Sequence, residues 1–279
     1  MDLEIRQNLQ TVFKSSGSNA NEMVRGATDY LLEQAGTQSG LSCLIDIILD
    51  TTSSTSIRHE ALITVRRFIV SRLEEPDFGF FSQILIPTIP SILQNLKGQL
   101  YDEALELASD AVKFFFLSGY WDSLPVLVQE GFESNSMIDI KISMALSKFI
   151  CEHTGQVEVE RFEVFDSLLS ELFEFMSRII TASQNIFFVS DCFECALKAS
   201  VHCLCSYFKR SGNLAQWVEA ATQVIDVDGM ISTINFCSHL IYAFPEDIKD
   251  GLDELILNYA MECVDCNLPP SHTKSLARL

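Results

Sequence analysis

The stretch from Gln99 to Ser118, QLYDEALELASDAVKFFFLS, decides how this chain folds. Leu100, Ala104, Leu107, Ala111, Phe114 and Phe115 recur at the i, i+3, i+4, i+7 spacing of one helix face. At about 100° per residue, Glu103, Glu106, Asp110 and Lys113 fall together on another face. The same amphipathic pattern repeats along the chain, broken roughly every 15–25 residues by Gly, Ser/Asn or Pro. The breaks fall near Gly17, Gly36, Gly79, Gly98, Gly119, Gly131, Gly155, Gly212 and Gly229, and no segment reads as a convincing strand.

The spacing predicts helices that pair as hairpins: 2–14 with 21–35, 39–50 with 55–72, 80–96 with 99–118, and 121–131 with 134–152. A longer pair follows at 160–181 with 184–209, then 213–225 with 228–243, then a lone helix at 246–265 after Pro245. The tail 267–279 carries Pro269-Pro270 and is expected to fray. The Thr51-Thr52-Ser53-Ser54 tract offers hydroxyl caps to the helix after it, and Pro87 and Pro90 should kink 80–96 by removing backbone donors. In 55–72, Ile57, Ala61, Leu62, Val65, Phe68 and Ile69 face inward, which leaves Arg58, His59, Arg66 and Arg67 for solvent or a neighbour. Helical hairpins bury their apolar faces most simply by stacking. The expected fold is therefore all-α, a curved right-handed α-solenoid of HEAT-like hairpins forming one domain over 1–266.

Composition narrows the function. Hydrophobic residues make up 48% of the 279, and the mean hydropathy of +0.19 supplies ample core and argues against disorder. Apolar runs such as Leu44 to Leu49 stop well short of the ~20 residues a membrane span requires. The first residues, Met1-Asp2-Leu3-Glu4-Ile5, carry acids and no apolar core of a secretory signal. A formal net charge of −19 disfavours nucleic acid and anionic membrane and suits basic protein surfaces. It also serves simply to keep an apolar protein in solution. The nine cysteines, most of them inside apolar helical stretches, read as reduced thiols of the cytosol or nucleus.

No motif points to chemistry. Cys192-x2-Cys195 followed by His202-Cys203-x-Cys205 resembles a zinc set, but Phe187 to Phe208 reads as one unbroken helix. On it Cys192 and Cys203 would stand ~16 Å apart, so the cysteines are expected to be core residues and no metal is expected. Cys263-x2-Cys266 falls at a helix end, without a second ligand pair. The histidines His59, His153, His202, His239 and His272 are scattered, and no nucleophile motif, phosphate loop or HExxH is present. Asp139, Asp226 and Asp228 lie near turns as helix caps. The 20 phenylalanines, among them Phe114-Phe115-Phe116 and Phe187-Phe188, fill the inter-hairpin core or line grooves for apolar peptide side chains. Trp121 and Trp217 stand near helix starts, where an indole can wedge between hairpins. No enzyme activity and no cofactor are expected.

Four segments carry a family likeness. Ala27-Thr28-Asp29-Tyr30-Leu31-Leu32-Glu33-Gln34, the short apolar helix Leu41 to Leu49, Ile57-Arg58-His59-Glu60-Ala61-Leu62-Ile63 and Trp121-Asp122-Ser123-Leu124-Pro125-Val126-Leu127 are similar to N-terminal HEAT-repeat segments of the importin-β (karyopherin) nuclear transport receptors. The resemblance covers roughly residues 20–130 and rests on packing positions. The chain departs from it at Arg66-Arg67, which stands where the family has Lys-Asn. It is also much shorter than family members, as a fragment, a splice product or a short homologue would be. The resemblance implies binding of the small GTPase Ran in its GTP form, of cargo and of nucleoporins, in cytoplasm and nucleus, without nucleic acid or membrane. It places Glu103, Glu106 and Asp110 on the second helix of a hairpin, the one that lines the concave face in the family. Together with Arg66 and Arg67 these are the candidate partner-binding residues, although the stripe also reads as a solvated face. Charge reversal of the three acids is expected to abolish partner binding without unfolding. The alternative function is a HEAT-type scaffold or regulatory subunit of another complex. The Met261/Cys263/Val264 side of the last helix is expected to expose apolar surface.

Overall fold

A computed structural model describes residues 1–14, 20–71, 79–154, 162–181, 186–199, 201–224, 227–245, 248 and 251–265. Every regular element among them is helical and none is a strand. The chain divides into two compact units, one of Met1–Leu124 with Asn135–Ile142, the other of Pro125–Ser134 with the chain from Ser143 onward.

The first unit holds α1 (Asp2–Lys14), α2 (Ala20–Ala35), α3 (Gln38–Leu49), α4 (Thr55–Ser71), α5 (Gly79–Leu85), α6 (Ile89–Asn95) and α7 (Gln99–Ala111). A 3-10 turn over Ile86–Thr88 separates α5 from α6, with a proline at the start of the turn and another at the start of α6. This is the kink expected from two missing backbone donors. α4 packs on α1, α2, α3 and α7, while α3 packs on α5 and α6. Its inward set Ala61, Leu62, Val65, Phe68 and Ile69 is buried, and Phe68 stacks on Phe81 of α5 at 4.5 Å. The helical pattern 99–118 continues past α7, but Val112–Phe116 relaxes into a π-turn. Tyr120 N–H donates to Phe115 O at 2.7 Å, and the turn leaves Val112 and Phe115 fully buried. A π-turn inserts a residue into the ladder; Phe115, expected on the inward face, is buried, and Phe114 is half-buried.

Two tight junctions fix the early helices. Thr37 caps α3 by accepting from Gly40 N–H at 3.0 Å. A Cβ at Gly40 would lie 2.1 Å from Gln34 O, so only glycine fits there. In the α3–α4 turn Asp50 accepts from Thr52 N–H at 2.9 Å, Thr52 Oγ at 2.6 Å, Ser53 Oγ at 2.7 Å and Arg6 of α1 at 3.2 Å. Ser54 Oγ then accepts from Ile57 N–H at 3.4 Å, the hydroxyl cap expected of this tract.

The second unit contains most of α8 (Leu124–Glu133) and of α9 (Met137–Thr154), then α10 (Phe162–Thr181), α11 (Ile186–Lys198), α12 (Val201–Ser211), α13 (Leu214–Ala221), α14 (Val227–Ala243) and α15 (Leu252–Asp265). Its core is built around Trp217, fully buried in the short α13. The indole meets Phe173 and Phe208 edge-on at 6.3 and 5.5 Å, and lies 6.0 Å from Phe193 and 5.7 Å from Phe236. Trp217 Nε1–H donates to Ser177 Oγ at 2.7 Å, Ser177 Oγ lies 2.6 Å from Tyr207 OH, and Asn213 Nδ2 donates to both oxygens at 2.9 and 2.7 Å. The buried polar atoms of this aromatic core are thereby mutually satisfied. At Gly229 a Cβ would come within 2.9 Å of Val224, which keeps the start of α14 close to the segment before it.

Three sequence expectations change here. The helix expected over 184–209 breaks at Ala199, with Lys198 ending α11 and Val201 starting α12. Neither glycine nor proline marks the break; α10 packs on both α11 and α12, and bending keeps each half against it. The last helix begins at Leu252, because Pro245 sits in a turn and Ile248 in a bend. Cys263 is buried beside Met230, Ile234 and Tyr259, not on an exposed side, although Met261 and Leu257 are 61% exposed. Tyr259 OH donates to Val224 O at 2.8 Å and so turns this face of α15 inward. The side chain of Val264 and the tail 267–279 lie outside the described residues.

Trp217→Ala removes the centre of the second unit and is expected to cost about 3–5 kcal/mol, read by chemical denaturation. Ser177→Ala leaves the indole N–H without its acceptor and is expected to cost about 1–3 kcal/mol. At the α3–α4 turn, hydrogen bonds from Ser53 and Thr52, then from Arg6, hold the Asp50 carboxyl well below the usual carboxylate range. Its stabilisation is therefore present above the unfolded value of about 3.9 and lost as pH falls toward the depressed folded value. Asp50→Asn should lower the thermal midpoint at pH 7, and its deficit against the parent should shrink as pH drops below about 4.

Candidate protein-binding site

α4 and α7 lie side by side, so a cation at the right height of one meets the acidic stripe of the other. Arg66 is that cation. Its Nη1 donates to Glu103 Oε2 at 3.0 Å, its Nη2 to Glu106 Oε2 at 3.0 Å and its Nε to Asp110 Oδ2 at 3.1 Å. The acids sit at i, i+3 and i+7, so successive turns of α7 present them along one line. The planar guanidinium fork matches that line with a separate N–H for each carboxylate. Partial burial works against the charged guanidinium, but Asp110, Glu103 and Glu106 outweigh it and hold its pKa above the ordinary arginine value. Arg66 is 26% exposed, Glu103 26% and Asp110 20%, whereas Glu106 is 65% exposed and open to solvent. His59 Nε2 stands 3.6 Å from Glu103 Oε1, too long for a hydrogen bond and an ion pair only when the imidazole is protonated.

The structure thus brings four of the five candidate residues into one intramolecular cluster. Arg67, the fifth, is exposed and makes no ion pair among the described residues. With Ile63, Arg66, Val70 and Ser71 it lines a groove of about 340 Å³ along α4. Val70 is 44% exposed and supplies its apolar wall. Arg58 does not reach solvent freely, because its Nε donates to Ile48 O at the end of α3 at 2.8 Å. Sequence periodicity gave each helix its charged face, with Arg66 and Arg67 left for solvent or a neighbour, but not which helices lie side by side. The alignment of second helices in consecutive hairpins was the signal that would have paired them. Lys113, the fourth member of the stripe, instead lies 5.4 Å from the Phe114 ring. The expectation that reversing all three acids leaves the fold intact fails on this geometry, since three new cations would surround Arg66.

The cysteine constellation sits elsewhere. The helix break removes the reason given for separating Cys192 from Cys203, yet both are buried, as are Cys151 and Cys195. Burial, then the neighbouring Cys203, pushes the Cys151 thiol up to about 12, and burial likewise raises Cys192 and Cys195 well above the free thiol. Among the described residues no group of three or more His, Cys, Asp or Glu is arranged to hold a metal ion. Cys266, Asp226 and His272 and the side chains of His202 and Asp228 lie outside the described residues. Asp139 lies in the first turn of α9: Ser136 Oγ accepts from Asp139 N–H at 3.4 Å, and the Asp139 carboxylate accepts from Gln94 at 3.0 Å. Burial alone lowers the pKa of His239 below the ordinary histidine value. No helix among the described residues is long and apolar enough to cross a membrane.

Comparison with known proteins places no name on this arrangement: no protein-family model matches the chain, and no curated protein matches it.

Arg66→Ala leaves the three carboxylates of α7 without their cation and is expected to lower stability by about 1–3 kcal/mol, the range between exposed and buried pairs. A double-mutant cycle of Arg66→Ala with Asp110→Ala should show positive coupling that shrinks as salt is raised. Additive effects at low salt would remove the clamp from the energetics of the fold.

Proposed function

We propose that this chain is a protein-binding helical-repeat module, acting in nucleocytoplasmic transport as an importin-β-type N-terminal region does. The observation that carries the reading is the layering in the first unit. The second helices α2, α4 and α7 follow one another in contact and the first helix α3 contacts the kinked α5–α6 pair, while the first helix α1 packs on α4. HEAT hairpins stack in this way, and their second helices form a continuous partner-facing layer. On this reading the partners are a Ran-type GTPase in its GTP form, cargo and nucleoporins, and the compartments are cytoplasm and nucleus. No bond is made or broken; two protein ligands are coupled through the curvature of a shared α-solenoid.

The face offered has definite chemistry. Glu106 presents an exposed carboxylate, and Arg67 an exposed guanidinium, without an ion pair among the described residues, beside the apolar wall of Val70. Arg66 and the carboxylates of Glu103 and Asp110 serve mainly to hold α4 and α7 in register. A second reading, a HEAT-type scaffold of another complex, draws support from the second unit, where α10 meets α11, α12 and α13 instead of a single hairpin partner.

Calorimetric titration with Ran loaded with GTP or GDP separates the readings. Binding to the GTP form alone, weakened roughly tenfold by Arg67→Glu, is the expected result. A folded sample that binds neither form sinks the transport reading and leaves the scaffold.

A further inference from the structure

The last described helix, α15, has two faces of opposite character. It packs on α13 and α14. Ile256, Tyr259 and Cys263, at i, i+3 and i+7, form its buried side. Tyr259 OH donates to Val224 O at 2.8 Å, which fixes the rotation of the helix about its own axis. At about 100° per residue, Met261 and Glu254 then point away from the buried side, with Leu257 and Asp253 next to them. Leu257 and Met261 stand one turn apart, and each leaves 61% of its surface in water. Single exposed apolar residues are ordinary, but two on successive turns of a fixed helix make a continuous apolar ridge.

The rim of this ridge is acidic. Asp253, Glu254 and Glu262 are exposed and make no ion pair among the described residues, and α15 contains no lysine or arginine. The cations nearest in sequence, Lys249, Lys274 and Arg278, lie outside the described residues, so the experiment has to separate them from a partner. An apolar centre with a charged rim is the usual build of a protein interface. A second copy of the chain is a poor occupant, because this face laid on itself sets acid against acid, and anionic lipid meets the same repulsion. Basic side chains flanking apolar ones satisfy both parts of the surface.

We infer that the outer face of α15 docks a basic amphipathic helix of a partner protein, whose apolar side chains cover Leu257 and Met261 and whose lysines or arginines meet Asp253, Glu254 and Glu262. Helices pack by setting the ridges of one into the grooves of the other, and the i, i+4 row Leu257–Met261 is such a ridge. Apolar burial supplies the affinity, and the acids select basic over acidic sequences. This surface lies wholly in the second unit and is independent of the α4–α7 face and of the small GTPase.

The test uses the full chain and a fluorescein-labelled helical peptide of leucine and lysine, with the leucines at i, i+3 and i+4 spacing. Two control peptides carry glutamate for each lysine, or the same leucines and lysines in scrambled order. Fluorescence anisotropy should show saturable binding of the patterned basic peptide alone, weakening as salt is raised. Leu257→Ser with Met261→Ser, and separately Glu254→Lys with Glu262→Lys, should each weaken it roughly tenfold. All four positions are exposed, and circular dichroism with the thermal midpoint establishes that each variant is folded. Lys274→Glu with Arg278→Glu should leave the affinity unchanged. Absence of saturation up to ~1 mM, equal binding of the scrambled peptide, or an affinity unchanged in either folded α15 variant overturns the proposal. So does a roughly tenfold gain in Lys274→Glu with Arg278→Glu, which makes the chain's own tail the occupant. A dimer in sedimentation that Leu257→Ser with Met261→Ser dissociates overturns it too, in favour of a second copy.

Discussion

Each helix of the first unit carries more apolar surface than one neighbour can cover, and this constraint governs the rest of that unit. α4 buries Ala61, Leu62, Val65, Phe68 and Ile69, and covers them by packing on α1, α2, α3 and α7. Each large side chain moved fully out of water contributes about 1.5–3 kcal/mol, so the layer is held by hydrophobic burial before any polar contact is counted. Once α4 and α7 are pressed together, their flanking charges share a half-buried seam. A cation there without partners would be costly, and Arg66 meets three carboxylates. The clamp follows from the packing and then fixes its register.

The second unit meets the same constraint differently. Its aromatic side chains converge on one indole, and that indole brings a polar N–H into a place without water. Ser177, Tyr207 and Asn213 answer it with a closed set of hydrogen bonds. One consequence reaches the surface. An asparagine at the start of α13, ordinarily a capping residue, spends its side chain inward and leaves the first turn of the helix uncapped. Core satisfaction and surface electrostatics are here the same event.

Charge separates the candidate surface of α4 from the bulk of the molecule. Acids outnumber bases 38 to 19, so an exposed cation without a carboxylate beside it is the informative feature. Among the described residues Arg67 and Lys209 make no ion pair, and Arg67 stands beside the exposed Val70. Arg66 does not, although the sequence alone gives it equal standing with Arg67.

By itself the sequence determined the helical class, most helix boundaries, the proline kink at 80–96 and the buried faces of α4 and α7. These depend on residue periodicity and on missing backbone donors, both local properties. Tertiary structure alone decided the break at Ala199, the inward turn of Cys263 and the capture of the acidic stripe by Arg66. In each case the cause is a neighbour distant in the chain: α10 beneath α11 and α12, Tyr259 reaching Val224, α4 across from α7. Helix periodicity states which face of a segment is apolar. Only packing states what the opposite face will meet, because that depends on pairs of residues some forty positions apart, such as Arg66 and Glu106.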